Sequence, residues 1–297
     1  MLGMHRPPLL LAVPNVSEGR DGTAIAAIGA AYAPALLLDT HSDVDHHRSV
    51  HTLAARQGEM AVALLSGARE AVARIDLGAH AGVHPRVGAL DVAPVVFLTG
   101  EDRGAAAAEA LTLAGLVGEE LEVPVFLYGE LATQPGALER ATLRAGGAEG
   151  LAERLESGAL TPDAGPARLH PSAGAVLITA RPPLVAFNLE LASAGIEAAR
   201  RIAARLRESG GGPAGVRAIG LELAASGRAQ VSVNVHDPDG VPLRRIVELV
   251  AAEAEVAEAE LVGLAPAAAL EGFPAEVPLR GFDPNRHVIE QALRSIE

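Results

Sequence analysis

Between residues 184 and 264 the apolar pattern changes period in an order that few folds accommodate. It reads as a strand (184–190), a helix (195–207), two strands (217–223 and 230–235), a second helix (242–257) and a last strand (260–264). Two-residue spacing marks the strands, and three- to four-residue spacing marks the helices. Gly210-Gly211-Gly212 and Ser226-Gly227 punctuate them as break and turn. The order βαββαβ is that of a split-βαβ, ferredoxin-like unit. The opening of the chain repeats it, with a strand at 9–13, a helix at 21–32, strands at 36–39 and 49–54, a helix at 59–75 and a strand at 89–98. A helix (103–121), a strand (123–128), an irregular Gly- and Pro-rich stretch (133–171) and a strand (175–179) come next. Arg181-Pro182-Pro183 then divides the chain, because two prolines continue neither a helix nor a central strand. The pattern predicts an α+β protein of two similar subdomains, residues 1–180 and 181–297. Helices cover the outer face of each sheet, and the remaining sheet faces bury each other.

Composition removes several classes of function. The 297 residues are 49% hydrophobic, enough for a sizeable core. All 24 basic residues are arginines against 37 acidic ones, a net charge of −13, and only 2% of the chain is aromatic. Such a chain has neither the cationic surface nor the stacking platforms that grip nucleic acid. Without cysteine there is no disulfide, thiolate nucleophile or iron–sulfur ligation. The apolar run 8–13 is too short to span a bilayer and is followed by Pro14 and Asn15, and the alanine-rich stretches are broken by Glu and Arg. A cytoplasmic protein without a membrane partner is expected.

Chemistry concentrates in the histidines. Six of the ten fall between His41 and His84, in two loop-like segments, 39–51 and 80–88. Imidazole titrates near neutrality, so a cluster of it suits proton transfer. A solvated polar loop is the plainer alternative. A metal held by Asp43, Asp45, His46, His47 and His51 is another, although the His80 and His84 pair lacks the helix and the glutamate of a zinc protease. Arg48 and Arg86, close to histidines, have the planar fork that clamps carboxylates. Glycines and prolines in 163–174 allow close backbone approach to a ligand, and Asn15 to Arg20 link a strand to a helix start where amides can hold an anion.

Several motifs spread in order along the chain resemble the glutamate formiminotransferase family. They are Val13-Pro14-Asn15-Val16-Ser17-Glu18-Gly19-Arg20, His84-Pro85-Arg86-Val87-Gly88-Ala89-Leu90-Asp91-Val92, Leu127-Tyr128-Gly129-Glu130 and Ala186-Phe187-Asn188. Gln230-Val231-Ser232, Leu261-Val262-Gly263-Leu264 and Phe282-Asp283-Pro284 belong to the same set. The resemblance implies two subdomains with facing sheets, a homodimer, and tetrahydrofolate as co-substrate in a tunnel between the halves. It implies transfer of the formimino group of N-formimino-L-glutamate to N5 of tetrahydrofolate, with no metal and without the cyclodeaminase portion fused in animal enzymes. The family's essential histidine falls on His84, with Arg86 beside it, and its folate-contacting segment on Gly165, Pro166, Arg168, Pro171 and Gly174. Asn15, Ser17, Arg48 and Asn188 match positions that bind substrate or folate.

Two positions depart from the animal pattern. His41 stands in place of an acidic residue in the catalytic set, and Val83 in place of a glutamate. A charged His41 lowers its neighbour's pKa where a carboxylate would raise it, which leaves Asp39, Asp43 or Asp45 to orient the catalytic histidine. Three other functions compete with formimino transfer: a formyl-group variant using N-formylglutamate or 5-formyltetrahydrofolate, a metal-dependent amide or amidine hydrolase built on 41–51, and a folate-binding protein without turnover.

Overall fold

The computed structural model describes residues 6–82, 84–224 and 226–296; Val83 lies outside the described residues. The chain forms two compact units, Met1–Pro182 and Pro183–Glu297. In the first, β1 (Leu9–Ala12) runs on through β2 (Asn15–Val16) to α1 (Gly22–Ala31), whose first amides are capped by the Asp21 carboxylate. Then come β3 (Leu36–Asp43), β4 (Arg48–Arg56), α2 (Met60–Arg74) and β5 (Leu90–Phe97). These strands pair antiparallel in the spatial order β3-β4-β1-β5, the arrangement of a ferredoxin-like unit. Beyond β5 the sheet continues in parallel, through α3 (Arg103–Glu120), β6 (Val125–Leu127), α4 (Arg140–Leu143), α5 (Gly147–Glu156) and β7 (Val176–Arg181), with β7 against β5 and β6 against β7.

Strand alternation splits this unit's core. Val176, Ile178 and Ala180 point into a cluster with Leu64, Leu113 and Val117 from α2 and α3. Ala175 and Leu177 point the other way, towards Leu143, Leu151 and Leu155 from the α4–α5 segment. The buried Glu109 of α3 accepts hydrogen bonds from Gly58 N (2.5 Å) and Ala61 N (2.8 Å), so a neighbouring helix caps the start of α2. Gly67 is required where α2 crosses Tyr32, since a Cβ there would overlap the phenol ring.

The second unit holds β8 (Val185–Leu191), α6 (Ile196–Leu206), β9 (Val216–Glu222), β10 (Ala229–Val235), α7 (Leu243–Ala251) and β11 (Val256–Val262), followed by β12 (Leu279–Arg280), α8 (Pro284–His287) and α9 (Ile289–Ala292). Its sheet order is β12-β11-β8-β10-β9, the same ferredoxin-like pattern with one parallel strand added at the β11 edge. Phe187, Leu189, Val231 and Val233 pack on Ile202, Ile246 and Val250 of the two long helices. The alternate positions are polar: Asn188 Nδ2 donates to Glu260 Oε2 (3.1 Å), and Glu190 pairs with both Arg280 and Arg228.

The structure differs from the sequence reading in several places. The helix expected at 242–257 ends at Ala251, and the last strand runs over Val256–Val262 rather than 260–264. The segment 39–51 is not a loop: β3 runs to Asp43 and β4 begins at Arg48, leaving only a tight turn at 44–47. Among the described residues strand β3 pairs on one side only, with β4, so it tolerates polar residues, and cross-strand pairs such as Ser42 with Ser49 (2.9 Å) tie it down. The stretch 133–171, expected to be irregular, contains α5, whose Leu151 and Leu155 lie one turn apart on its buried side. Among the described residues no helix is long and apolar enough to cross a membrane.

His51, fully buried in β4 beside the Tyr32 ring (centroids 5.4 Å apart), has its pKa pushed down to about 4 by burial. The unfolded chain therefore binds a proton below about pH 6.5 that the native fold refuses until about pH 4. Stability held at neutral pH should fall across that window, by on the order of 3 kcal/mol at its acid end. His51→Leu should flatten this part of the stability–pH curve in urea melts; an unchanged slope would show that His51 does not set it.

Candidate active site

The first unit gathers its chemistry around one buried carboxylate. Asp91, near the start of β5, is wholly inaccessible to solvent. Its Oδ1 accepts from Val87 N (2.8 Å), and its Oδ2 accepts from Arg48 Nη1 (2.6 Å) and from Arg144 Nη2. Arg48 opens β4 and also donates through Nε to Asn15 Oδ1 (2.9 Å). Arg144 follows α4, and its Nε is buried with no hydrogen-bond partner among the described residues. Burial alone would raise the Asp91 pKa, but the two guanidiniums hold it well below the ordinary carboxylate range. Burial pulls Arg48 down to about 10. Two cations share one anion, so the cluster keeps a net positive charge away from solvent.

His84 lies against this cluster, half-buried. Its Nδ1 is 2.8 Å from Pro85 O, and a carbonyl can only accept, so the ring hydrogen sits on Nδ1. Arg48 Nη1, at 3.4 Å from the same nitrogen, is then a repulsive neighbour. Nε2 is left with its lone pair. Desolvation first, then the charges of Arg48 and Arg144, hold the His84 pKa well below its ordinary value, against the opposing pull of Asp91. At neutral pH the ring is a free base, and its protonated form is a ready acid.

The surrounding loops are tied to one another by hydrogen bonds. Ser17 Oγ donates to Gly88 O (2.7 Å) and Ser17 N to Ala89 O (2.8 Å), which pins the 15–20 segment to the strand entry. His47, at φ +49°, accepts from Gly19 N on Nδ1 (3.1 Å), so that nitrogen carries no hydrogen. Its ring stacks on His80 at 4.1 Å, and burial lowers the pKa of both. Gly82 admits no side chain, since a Cβ would strike His46 O and the His47 and His80 side chains. Arg86 spends its guanidinium on the carbonyls of His80, Gly82 and His84. Gly174, at φ +69°, closes a turn with His170 and bridges to Gly88, where a Cβ would meet Val87 O.

Asn15, Arg48 and His84 are thus brought together, with Ser17, Arg86 and Gly174 in the loops that hold them. His41 sits on β3 opposite Val50, and the described partners of His84 are instead Arg48, Pro85 and the ring of His46. Gly165, at φ +81°, packs on Gly118 and Val123, a structural use of its conformation. Arg168 and Pro171 are exposed, Pro166 is half-buried, and Asn188 belongs to β8 of the second unit. Among the described residues no three of His, Asp or Glu converge as metal ligands. Asp91 and Arg144 were missed as functional candidates: Asp91 reads as one polar residue in an apolar strand, and Arg144 as one arginine in an irregular stretch.

This geometry makes two predictions. Asp91→Asn strands two buried guanidiniums and should destabilise the protein by about 3–5 kcal/mol in urea or thermal melts. Arg144→Gln removes one cation from the His84 environment, so the His84 pKa, followed by NMR of its ring protons, should rise towards the ordinary histidine value. A pKa left in place would mean that Arg144 does not act on His84.

Sequence comparison bears on the whole chain. The profile of the formiminotransferase domain, N-terminal subdomain, matches residues 9–181, and that of the formiminotransferase domain matches 186–273. A glutamate formimidoyltransferase of Streptococcus pyogenes serotype M1 is 35% identical, covering 95% of this chain and 97% of its own. One from Thermoplasma acidophilum is also 35% identical, over 93% and 94%. The formimidoyltransferase-cyclodeaminase of Sus scrofa is 39% identical over 88% of this chain, which spans 51% of that longer protein. Matched along both of its units, this chain belongs to the formiminotransferase family of transferases.

Proposed function

We propose that the protein transfers the formimino group of N-formimino-L-glutamate to N5 of tetrahydrofolate, a step of histidine degradation that feeds one-carbon metabolism. The observation that carries this reading is the state of His84: a neutral imidazole with its hydrogen turned onto Pro85 O and its Nε2 lone pair available, next to a buried cationic cluster. The transfer needs one proton removed and one delivered, with no covalent enzyme intermediate. N5 of the folate attacks the amidine carbon while its proton passes to His84 Nε2. A tetrahedral adduct results, His84 returns the proton to the glutamate nitrogen, and the C–N bond to glutamate breaks. The ring is regenerated neutral. A lowered pKa suits both halves, because the imidazole is unprotonated before attack and its conjugate acid protonates the leaving nitrogen readily.

The uncompensated charge of Arg48 and Arg144 over Asp91 favours an acidic donor, and Arg48 and Asn15 are the groups to which we assign its carboxylates. Holding the donor there makes its encounter with the folate effectively intramolecular. Ser17 and Arg86 act as positioning residues, through the loops that they fasten. A cytoplasmic location and a homodimer accompany this reading on the family resemblance.

Two measurements test it. Purified protein offered tetrahydrofolate and formiminoglutamate should yield 5-formiminotetrahydrofolate by mass. His84→Ala should lose about 100- to 10,000-fold in kcat, and undiminished activity would remove His84 from the mechanism. In the wild type, kcat/KM should fall on the acid side as His84 takes up a proton, with the midpoint below the ordinary histidine value of 6.5. An acid limb centred at or above 6.5 would contradict the assignment.

A further inference from the structure

One cation beside the Asp91 cluster has no anion of its own. Arg140 opens α4, one turn before Arg144, whose backbone N donates to the Arg140 carbonyl (3.0 Å). The Arg144 side chain goes to Asp91, whereas the half-buried Arg140 guanidinium lies over the Tyr128 ring, 5.8 Å from its centroid. A ring face supplies no lone pair, so this contact leaves the N–H donors of the guanidinium open. Among the described residues Arg140 makes no ion pair and no side-chain hydrogen bond, whereas Arg48, Arg86 and Arg154 all end on carboxylates or carbonyls. A second guanidinium shares this environment. Val176, Ile178 and Ala180 of β7 face α2 and α3, so alternation turns Arg181 to the side of Thr179, whose hydroxyl donates to Tyr128 O (2.6 Å). Arg181 donates only to Pro182 O (2.9 Å). Burial lowers its pKa to about 10; Tyr128 opposes that fall, and the charge of Arg140 adds to it.

The donor has two carboxylates to place. Its α-carboxylate is bonded to the carbon that bears the reacting nitrogen. With His84 at that nitrogen, the α-carboxylate meets Arg48, 3.4 Å from the imidazole. Arg48 already spends Nε on Asn15 and Nη1 on Asp91, which leaves it donors for one carboxylate only. The γ-carboxylate, at the far end of the donor, calls for a cation beyond Arg48. Arg140 meets that need: after burial, its charge is among those that hold down the pKa of Arg48, so it stands next in line. Building on the transfer reaction proposed above, we infer that Arg140, together with Arg181, binds the γ-carboxylate of the donor and selects a formimino-glutamate over the corresponding neutral glutamine. Arg140 is a specificity-determining residue, whereas His84 moves the protons.

The test is the ratio of kcat/KM for N-formimino-L-glutamate to that for N-formimino-L-glutamine, both measured with tetrahydrofolate on one preparation. Any loss of folded enzyme cancels in this ratio. Arg140→Gln, which removes the charge, should lower the ratio at least about tenfold. Arg140→Lys, which keeps the charge without the planar fork, should retain part of it. The KM for tetrahydrofolate should stay as it is in the wild type. A ratio unchanged in Arg140→Gln, or equal losses for both donors, would overturn the inference while leaving the transferase reading intact. So would an unchanged ratio with a raised KM for tetrahydrofolate, which would put the guanidinium on the folate. Wild-type protein that transfers from neither donor would overturn both.

Discussion

The buried contact of Asp91 with Arg48 and Arg144 is the constraint on which the site depends. Each of the three reaches it from a different part of the first unit: β5, the start of β4 and the turn after α4. None of these charges is cheap to bury alone, and together they still leave one positive charge uncompensated. Burial first, and then that residue of charge, hold the His84 pKa well below its ordinary value; on the reading proposed above, the same charge gives an acidic substrate something to meet. The bond from Val87 N to Asp91 fixes the segment between His84 and β5, so the same carboxylate also sets the position of the imidazole.

Around that centre the histidines divide their work by the hydrogen bonds they make. His47 and His80 serve the loops: one accepts from Gly19, the other contacts the carbonyl of His47, and they stack on each other. His84 turns its Nδ1 hydrogen to Pro85 and frees its other nitrogen. Count and proximity in sequence do not separate these roles; the partner of each ring nitrogen does.

The architecture was legible because both βαββαβ runs carry strong periodicity, and each run matched a ferredoxin-like sheet order. Strand β3 was read four residues short because Thr40 to Asp43 carry no apolar alternation. What holds them is pairing to β4, a contact between residues that local pattern does not reveal. Helix α5 was missed because glycines at 146, 147 and 150 mask two leucines whose burial comes from Phe126 and Leu177 far away in sequence. Of the site, Asn15 and His84 were visible in motifs, and Arg48 in its closeness to histidines. Arg144 was not, since an arginine's function there comes from a carboxylate 53 positions earlier that only the folded chain brings near.

The parallel extension has a meaning beyond its packing. Strands β3, β4, β1 and β5 with α1 and α2 already make a topologically closed unit, and the second half of the chain uses the same order with only a short strand appended. The stretch that runs from α3 to β7 adds nothing that this topology requires, yet it carries Arg144 to Asp91. Part of the electrostatic tuning therefore resides in a piece separable from the scaffold, whose own strands supply Arg48 and Asp91. Change in the 133–171 stretch can reset the basicity of the imidazole without redrawing the sheet that holds it, which makes that stretch the place where a protein of this design can alter its chemistry while keeping its frame.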